Sequence, residues 1–258
     1  MKILFEIIWD NISFVFSILK KIIEKFMDYK KNMQLKRIMG FKHKVVAVTF
    51  SVFKKEMVNN SLHELVTINC LEYLKALMDI CKKLEIDCEI PIGNRMDLLQ
   101  RYENSDEIHI GGPLTNSYVH SYLSDFSKFT FYRKAEDNIE NINYRIENSC
   151  IKISESERGR YIRIANVDYY VDDEKDYLIL IRHRPLIEKK VSKTVHIIFN
   201  THHIEKVNVI KIFINNTEIL FNRIKRHKNN YFLIIPIDKN NGRVEIENIE
   251  DKTDIFFD

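Results

Sequence analysis

With 258 residues, 45% of them hydrophobic and 30% charged, the chain has the material for a sizeable buried core, which excludes an intrinsically disordered polymer. Its four cysteines, Cys70, Cys81, Cys88 and Cys150, contain no C-x-x-C pair, so reduced core thiols are expected and not a disulfide scaffold or a zinc module. The net charge of +3 is uneven: residues 1–40 hold eight Lys/Arg against four Asp/Glu and the remainder 32 against 33, a balance that excludes a broad nucleic-acid surface on the main body.

From Phe5 to Met33 the apolar residues keep a heptad register, with Phe5, Ile12, Leu19, Phe26 and Met33 at one position and Ile8, Val15, Ile22 and Tyr29 at the other. The spacing predicts a strongly amphipathic helix, and Trp9, Phe16 and Ile23 widen its stripe beyond a two-stranded seam. Glu6 and Asp10 interrupt the run between Ile3 and Leu19, which argues against a transmembrane span. Lys20-Lys21 follow it where a signal peptide would carry small residues. Two readings stay open: residues 1–37 lie on an anionic membrane surface, as the trailing lysines suggest, or the helix packs on the main body or on sister chains in a homo-oligomer. The corresponding location is cytoplasmic, peripheral to the inner face of the membrane.

Gly40 ends this 1–40 segment, and residues 41–258 read as one α/β domain. Lys44–Ser51 is an unbroken apolar strand. A helix capped by Asn60 or Ser61 follows with a stripe of Leu62, Leu65, Ile68, Leu71, Leu74, Leu77, Ile80 and Leu84. Glu85–Pro91 is a second strand, Asn94 caps a short helix through Leu99, Ile108–Ile110 is a third strand, and Phe129–Tyr132 a fourth. This alternation predicts a Rossmann-like, mostly parallel sheet with crossover helices. Between about residues 140 and 172 the pattern changes to alternation of apolar and polar residues, as in Tyr161–Ala165 and Val167–Val171, which predicts an antiparallel β insertion. Tyr177–Ile181 and Thr194–Phe199 are buried strands. A helix from His202 or His203 through Phe213 follows, then strands at Tyr231–Ile237 and Arg243–Glu247.

Two of only six glycines fall together at Gly111-Gly112, between a predicted strand and a predicted helix with Pro113 in its first position. Ligands of open α/β sheets sit outside the carboxyl ends of the strands. Three segments converge there on this reading: Ser51 after the first strand, Gly111, Gly112, Pro113, Thr115 and Asn116 after the third, and Thr201 and His202 after the late one. Backbone amides beside the glycines suit a phosphate or carboxylate, with Thr115 and Asn116 offering a hydroxyl and an amide. The run has neither G-x-G-x-x-G spacing nor a Walker lysine, which argues against ordinary dinucleotide or triphosphate binding.

A strand followed by Gly111-Gly112-Pro113, two further residues and Asn116 resembles the ligand-facing loop of Rossmann-like nucleotide-sensing domains of the SLOG kind. More distantly it is similar to the corresponding turn of nucleoside deoxyribosyltransferases. The likeness spans residues 44–132 and implies a nucleotide-like signal ligand read out through an effector element such as a membrane helix, in the setting of prokaryotic defence. No carboxylate stands where those transferases place their nucleophile.

His202-His203, with His109 and His120, has the residue type of a metal site, but neighbouring histidines point apart in regular structure, so no metal is assigned. Tyr177, Arg182 and Arg184 suggest an anion contact near Pro185. The expectation is a small-ligand sensor with no resident cofactor. Its alternatives are a nucleotide or nucleoside hydrolase or transferase using the same cleft, with His202 or His203 as acid–base, and a ligand-free interaction scaffold. The partners expected are an anionic small molecule, an anionic membrane surface and sister chains, and no nucleic acid.

Overall fold

The computed structural model describes residues 2–50, 54–58, 61–65, 68–90, 104–113, 116–123, 126, 129–134, 151–154, 160–164, 166–187, 190–201 and 208–257. The heptad-patterned segment forms one long helix, α1 (Lys2–Met39). Gly40, at φ +59°, ends it in the left-handed conformation that suits glycine, and its N–H donates to the Lys36 carbonyl at 2.8 Å. Glycine is doubly required here, because a Cβ would sit 3.0 Å from Arg182 Nη1.

The strands β1 (Val45–Phe50), β4 (Asp87–Glu89), β5 (Asp106–Ile110), β10 (Lys175–His183), β13 (Val195–Asn200), β14 (Tyr231–Asp238) and β15 (Arg243–Val244) make the central sheet, in the order β15-β14-β10-β13-β5-β1-β4. A short β16 (Glu250–Asp251) also pairs with β14, and β11 (Leu186–Ile187) and β12 (Lys190–Val191) form a separate antiparallel pair. Pairings from β4 through β1 and β5 to β13 are parallel, and those from β13 through β10 and β14 to β15 are antiparallel. The helix α2 (Ile68–Leu84) carries the chain from the β1 side toward β4.

Period-two alternation divides the core between the two faces of this sheet. On one face Val46, Val48, Ile108, Ile110, Leu178 and Leu180 pack with Leu35, Ile38 and Met39 of α1, with Leu77 and Ile80 of α2, and with α4 (Lys211–Asn215) and α5 (Thr217–Ile224). On the other face Ile179, Ile181, Val195, Ile197 and Phe199 pack with Val119 and Leu123 of α3 (Ser117–Leu123), Phe256 of α6 (Thr253–Phe257) and Ile162 and Ile164 of β8 (Arg160–Ile164). Cys81 is buried and Cys88 half-buried, both as free thiols.

Several expectations are corrected. Residues 61–65 are not the start of a helix but a strand, β3 (Ser61–Leu65), paired in antiparallel register with β2 (Lys54–Val58), and α2 begins only at Ile68. The three-residue spacing of Leu62, Leu65 and Ile68 mimics a helical stripe. The Asn59-Asn60 dipeptide between the strands is the residue type that short hairpin links favour. Phe129–Tyr132 is a strand, β6 (Phe129–Lys134), but lies outside the central sheet, because β13 takes the place beside β5. It instead joins β7 (Ile151–Ser154), β8 and β9 (Val167–Val171) in a second sheet ordered β7-β6-β8-β9, in which only β6 and β7 are parallel. Toward the end, β15 is shorter than predicted and gives way to a 3-10 turn at Ile246–Asn248. The predicted strand around Tyr144, the short helix at Asn94 and the first residues of the helix at His202 lie outside the described residues.

Candidate ligand site at the carboxyl ends of the central strands

Chain order turns around at β1: the chain moves to β4 on one side, then crosses over to β5 on the other. A crevice opens outside the carboxyl ends of two strands that diverge in this way, and open α/β sheets use it for ligands. Gly111 stands at its rim with φ +112°, a conformation that favours glycine, and its N–H donates to the Ile198 carbonyl of β13 at 2.9 Å. Gly112 has no such backbone demand, and a Cβ there would meet only Phe199 Cδ2 at an ordinary 3.7 Å.

Pro113 does not open the helix. It is buried in the turn ahead of it, where Asn116 N–H donates to the Gly112 carbonyl at 2.9 Å, and α3 starts at Ser117. Asn116 explains the shift: its Oδ1 accepts the N–H groups of Tyr118 at 3.0 Å and Val119 at 3.4 Å, the work of an N-cap. Its Nδ2 donates to Thr49 Oγ1 at 3.2 Å and to the Ile110 carbonyl at 3.1 Å. The side chain expected to greet a ligand is thus buried and holds the loop to β1 and β5. Thr201 is buried on the β10 side of β13, its hydroxyl donating to the Asp176 carboxylate and its N–H to the Tyr177 carbonyl. Ser51, Thr115 and His202 lie outside the described residues.

Four residues that the loop motif did not point to form a polar series on the α3 face of the sheet, from Lys193 and Glu107 at the amino ends of β13 and β5 to Thr49 near the carboxyl end of β1. Thr49 on β1 and Glu107 and His109 on β5 face the α3 side of the sheet, and Thr49 and His109 are register partners. Thr49 Oγ1 is 2.8 Å from His109 Nδ1, His109 Nε2 is 3.0 Å from Glu107 Oε2, and Lys193 Nζ donates to Glu107 Oε1 at 2.5 Å. Burial raises the Glu107 carboxyl's pKa, but the hydrogen bonds and charges of His109 and Lys193 outweigh it and bring it down to about 2. An ionised Glu107 can only accept, so His109 Nε2 carries a proton; in the neutral imidazole Nδ1 then accepts from the Thr49 hydroxyl, which itself accepts from Asn116. The Tyr118 ring stacks on His109 at 5.6 Å, and Tyr122 reaches His183 Nδ1 at 2.5 Å. The available signal was a pair of polar residues at alternate positions, Glu107 and His109, inside an otherwise buried strand.

A second polar cluster lies at the amino ends of the same strands. Asp106, fully buried, accepts the N–H groups of Lys42 and His43 at 2.7 Å and of Thr194 at 2.6 Å. Burial nevertheless raises its pKa. Thr194 Oγ1 donates to the Gly40 carbonyl at 2.7 Å, and His196 Nε2 to the Met39 carbonyl at 2.7 Å. Arg182, read from sequence as part of an anion contact, is buried. Its guanidinium donates to the carbonyls of Arg37 and Ile38 at 2.6 and 2.8 Å and to those of His227, Lys228 and Asn229 at 3.0–3.4 Å, and lies over the Tyr231 ring. Carbonyls left over at the ends of helices attract cations, and this one satisfies several at once.

Among the described residues no three His, Cys, Asp or Glu side chains are grouped so as to hold a metal ion. Fold and site together define a mixed α/β protein with a parallel half-sheet whose strand order reverses at β1 and a long helix clamped at its amino ends. No protein-family model, curated protein or solved structure matches the chain.

Proposed function

We propose that the chain is a sensor domain of Rossmann-like type that binds a small anionic, nucleotide-like ligand in the crevice between β1 and β5, with α1 as the element that carries the response. The observation that supports it most is the reversal of strand order at β1, with the Gly111-Gly112 turn at the carboxyl end of β5. The nucleotide preference rests on the resemblance of the Gly-Gly-Pro loop, and the setting it suggests is prokaryotic defence. Calorimetry and thermal-shift measurements against mono-, di- and cyclic nucleotides test it. Wild type is expected to be stabilised by at least one of them. Gly112→Val, whose Cβ would meet only Phe199 at an ordinary 3.7 Å, is expected to keep its melting temperature and lose that stabilisation. If no nucleotide or phosphorylated metabolite stabilises wild type, the chain is better read as an interaction scaffold.

The Glu107–His109–Thr49 chain favours a second reading, a hydrolase or transferase acting in the same crevice. A carboxylate-oriented imidazole in contact with a hydroxyl is the arrangement that general-base catalysis uses, and it moves the acid–base role from His202 or His203 to His109. Chromatography of each nucleotide after incubation separates the readings: a sensor returns it intact, whereas an enzyme consumes it and His109→Gln stops the turnover.

A further inference from the structure

The last turn of α1 is buried at Leu35, Ile38 and Met39 and tied to the sheet through Arg182, Thr194 and His196, so the direction in which the helix leaves the domain is fixed. From Phe16 to Lys31 the side chains of the helix are exposed, and Lys30 reaches Glu218 of α5 at 3.4 Å. Phe16, Leu19, Ile22, Ile23, Phe26 and Met27 are 47–67% exposed, a run of large apolar side chains that a folded monomer does not ordinarily leave in water. Helical geometry puts Leu19, Ile22, Ile23 and Phe26 on one side at i, i+3, i+4 and i+7, and the whole apolar arc from Ile18 round to Met27 covers about half the circumference. Lys25 stands at one edge of that arc and Lys20 at the other, while Glu24 and Asp28 fall on the far side.

We infer that the exposed face of α1 docks on an anionic lipid bilayer, lying in the interface with its apolar arc toward the acyl chains and its lysines at the phosphates. Charge complementarity selects this occupant. Between Phe16 and Met33 the helix carries five lysines, one of which, Lys30, pairs with Glu218, against Glu24 and Asp28, whereas residues 41–258 hold 32 basic and 33 acidic residues, so the positive charge of the protein is concentrated beside its exposed apolar face. Lysines flanking an apolar stripe can bury their methylene stems and hold the ammonium at the headgroups. A second copy fits less well: in a parallel heptad pairing Lys25 of one helix would face Lys30 of the other, and a half-circumference arc is wider than one partner helix covers. No helix among the described residues is long and apolar enough to cross a membrane, so α1 lies on the bilayer in this proposal and does not span it.

The test is co-flotation of the full chain, without nucleotide, with phosphatidylcholine vesicles that contain or lack phosphatidylglycerol. The ligand reading is thereby left untouched by either result. Wild type is expected to float with the anionic vesicles, to do so roughly tenfold less with neutral ones, and to be released by salt. Lys20→Glu/Lys25→Glu is expected to lose at least about tenfold in anionic binding, and Ile22→Asp/Phe26→Asp to lose flotation altogether. Both alter exposed positions, and an unchanged melting temperature confirms that the domain is intact. Failure of wild type to float overturns the proposal. So does light scattering that shows a stable non-floating oligomer which Ile22→Asp/Phe26→Asp converts to monomer, an outcome that assigns the face to a second copy.

Discussion

Two clusters in the central sheet both bury polar side chains, and they use them differently. At the amino ends Asp106, Arg182, Thr194 and His196 direct their hydrogen bonds to backbone groups, chiefly the last carbonyls of α1 and the first amides after it. Along the α3 face Lys193 and Glu107, at the amino ends of β13 and β5, and His109, Thr49 and Asn116, toward the carboxyl ends, bond in series to one another. Backbone partners cannot change protonation or leave, so the first cluster is a fastening. Side-chain partners can rearrange, titrate and be replaced by a ligand, which gives the second cluster the properties of a site. One strand, β5, carries both, with Asp106 at its start and Gly111 just past its end, so a displacement in the crevice has a direct path to the root of α1.

The contrast breaks most visibly at Arg182. Arg182→Met strands the carbonyls of two helix ends in the interior, and is expected to cost about 4 kcal/mol, lowering the melting midpoint by roughly 8–16 °C. A midpoint within a few degrees of wild type would mean that α1 is not fastened as described.

Acid should act at the same end. Burial above all lowers the His196 pKa from 6.5 to about 3, whereas the histidine of an unfolded chain takes up a proton near 6.5. Between pH 6.5 and 3 the unfolded state therefore binds the extra proton, and stability falls as the pH falls, by roughly 2 kcal/mol from pH 6.5 to 5. His183, also lowered by burial, adds to this, while Asp106, raised by burial, works against it. Thermal melts across this range should be flatter for His196→Gln, which cannot charge. Equal slopes for the two proteins would remove His196 as the cause.

Smaller effects sharpen the comparison. Gly40→Ala forces a side chain into the left-handed conformation and onto Arg182, with an expected loss of about 1–2 kcal/mol in urea denaturation. Asn116→Ala removes a helix cap and should cost about 1 kcal/mol in the same measurement. Thr49→Val, at the half-buried end of the series, should change stability by less than about 1 kcal/mol while altering ligand affinity or turnover. A large stability loss for Thr49→Val with unaltered binding would make the α3-face cluster a second fastening.

Much of this architecture is legible without coordinates because its signals are local. The largely apolar runs Val45–Phe50, Val195–Phe199 and Tyr231–Ile235 read as buried strands, and Gly40, after the stripe from Phe5 to Met33, marks the end of α1 to within a residue. What escaped depends on distant partners. Whether Phe129–Lys134 joins the central sheet is decided by β13, some sixty residues later, and no pattern within the strand records it. Arg182 reads as a surface cation because charge ordinarily signals solvent; the carbonyls that make its burial favourable come from α1 and from the turn after α5. At the crevice the Gly-Gly-Pro turn announced itself, whereas Thr49 and Lys193 are single polar residues in other segments whose roles arise only when β1, β5 and β13 are side by side.

Hydrogen–deuterium exchange of the wild-type chain, with and without the nucleotide that gives the largest thermal shift, reports directly on where a ligand sits. Binding at the β1–β5 crevice predicts slowed exchange in residues 109–120, including the amides of Gly111, Gly112, Tyr118 and Val119, with a smaller change at the root of α1 near Gly40. Protection confined to other parts of the chain, or no protection with any nucleotide tested, would contradict it.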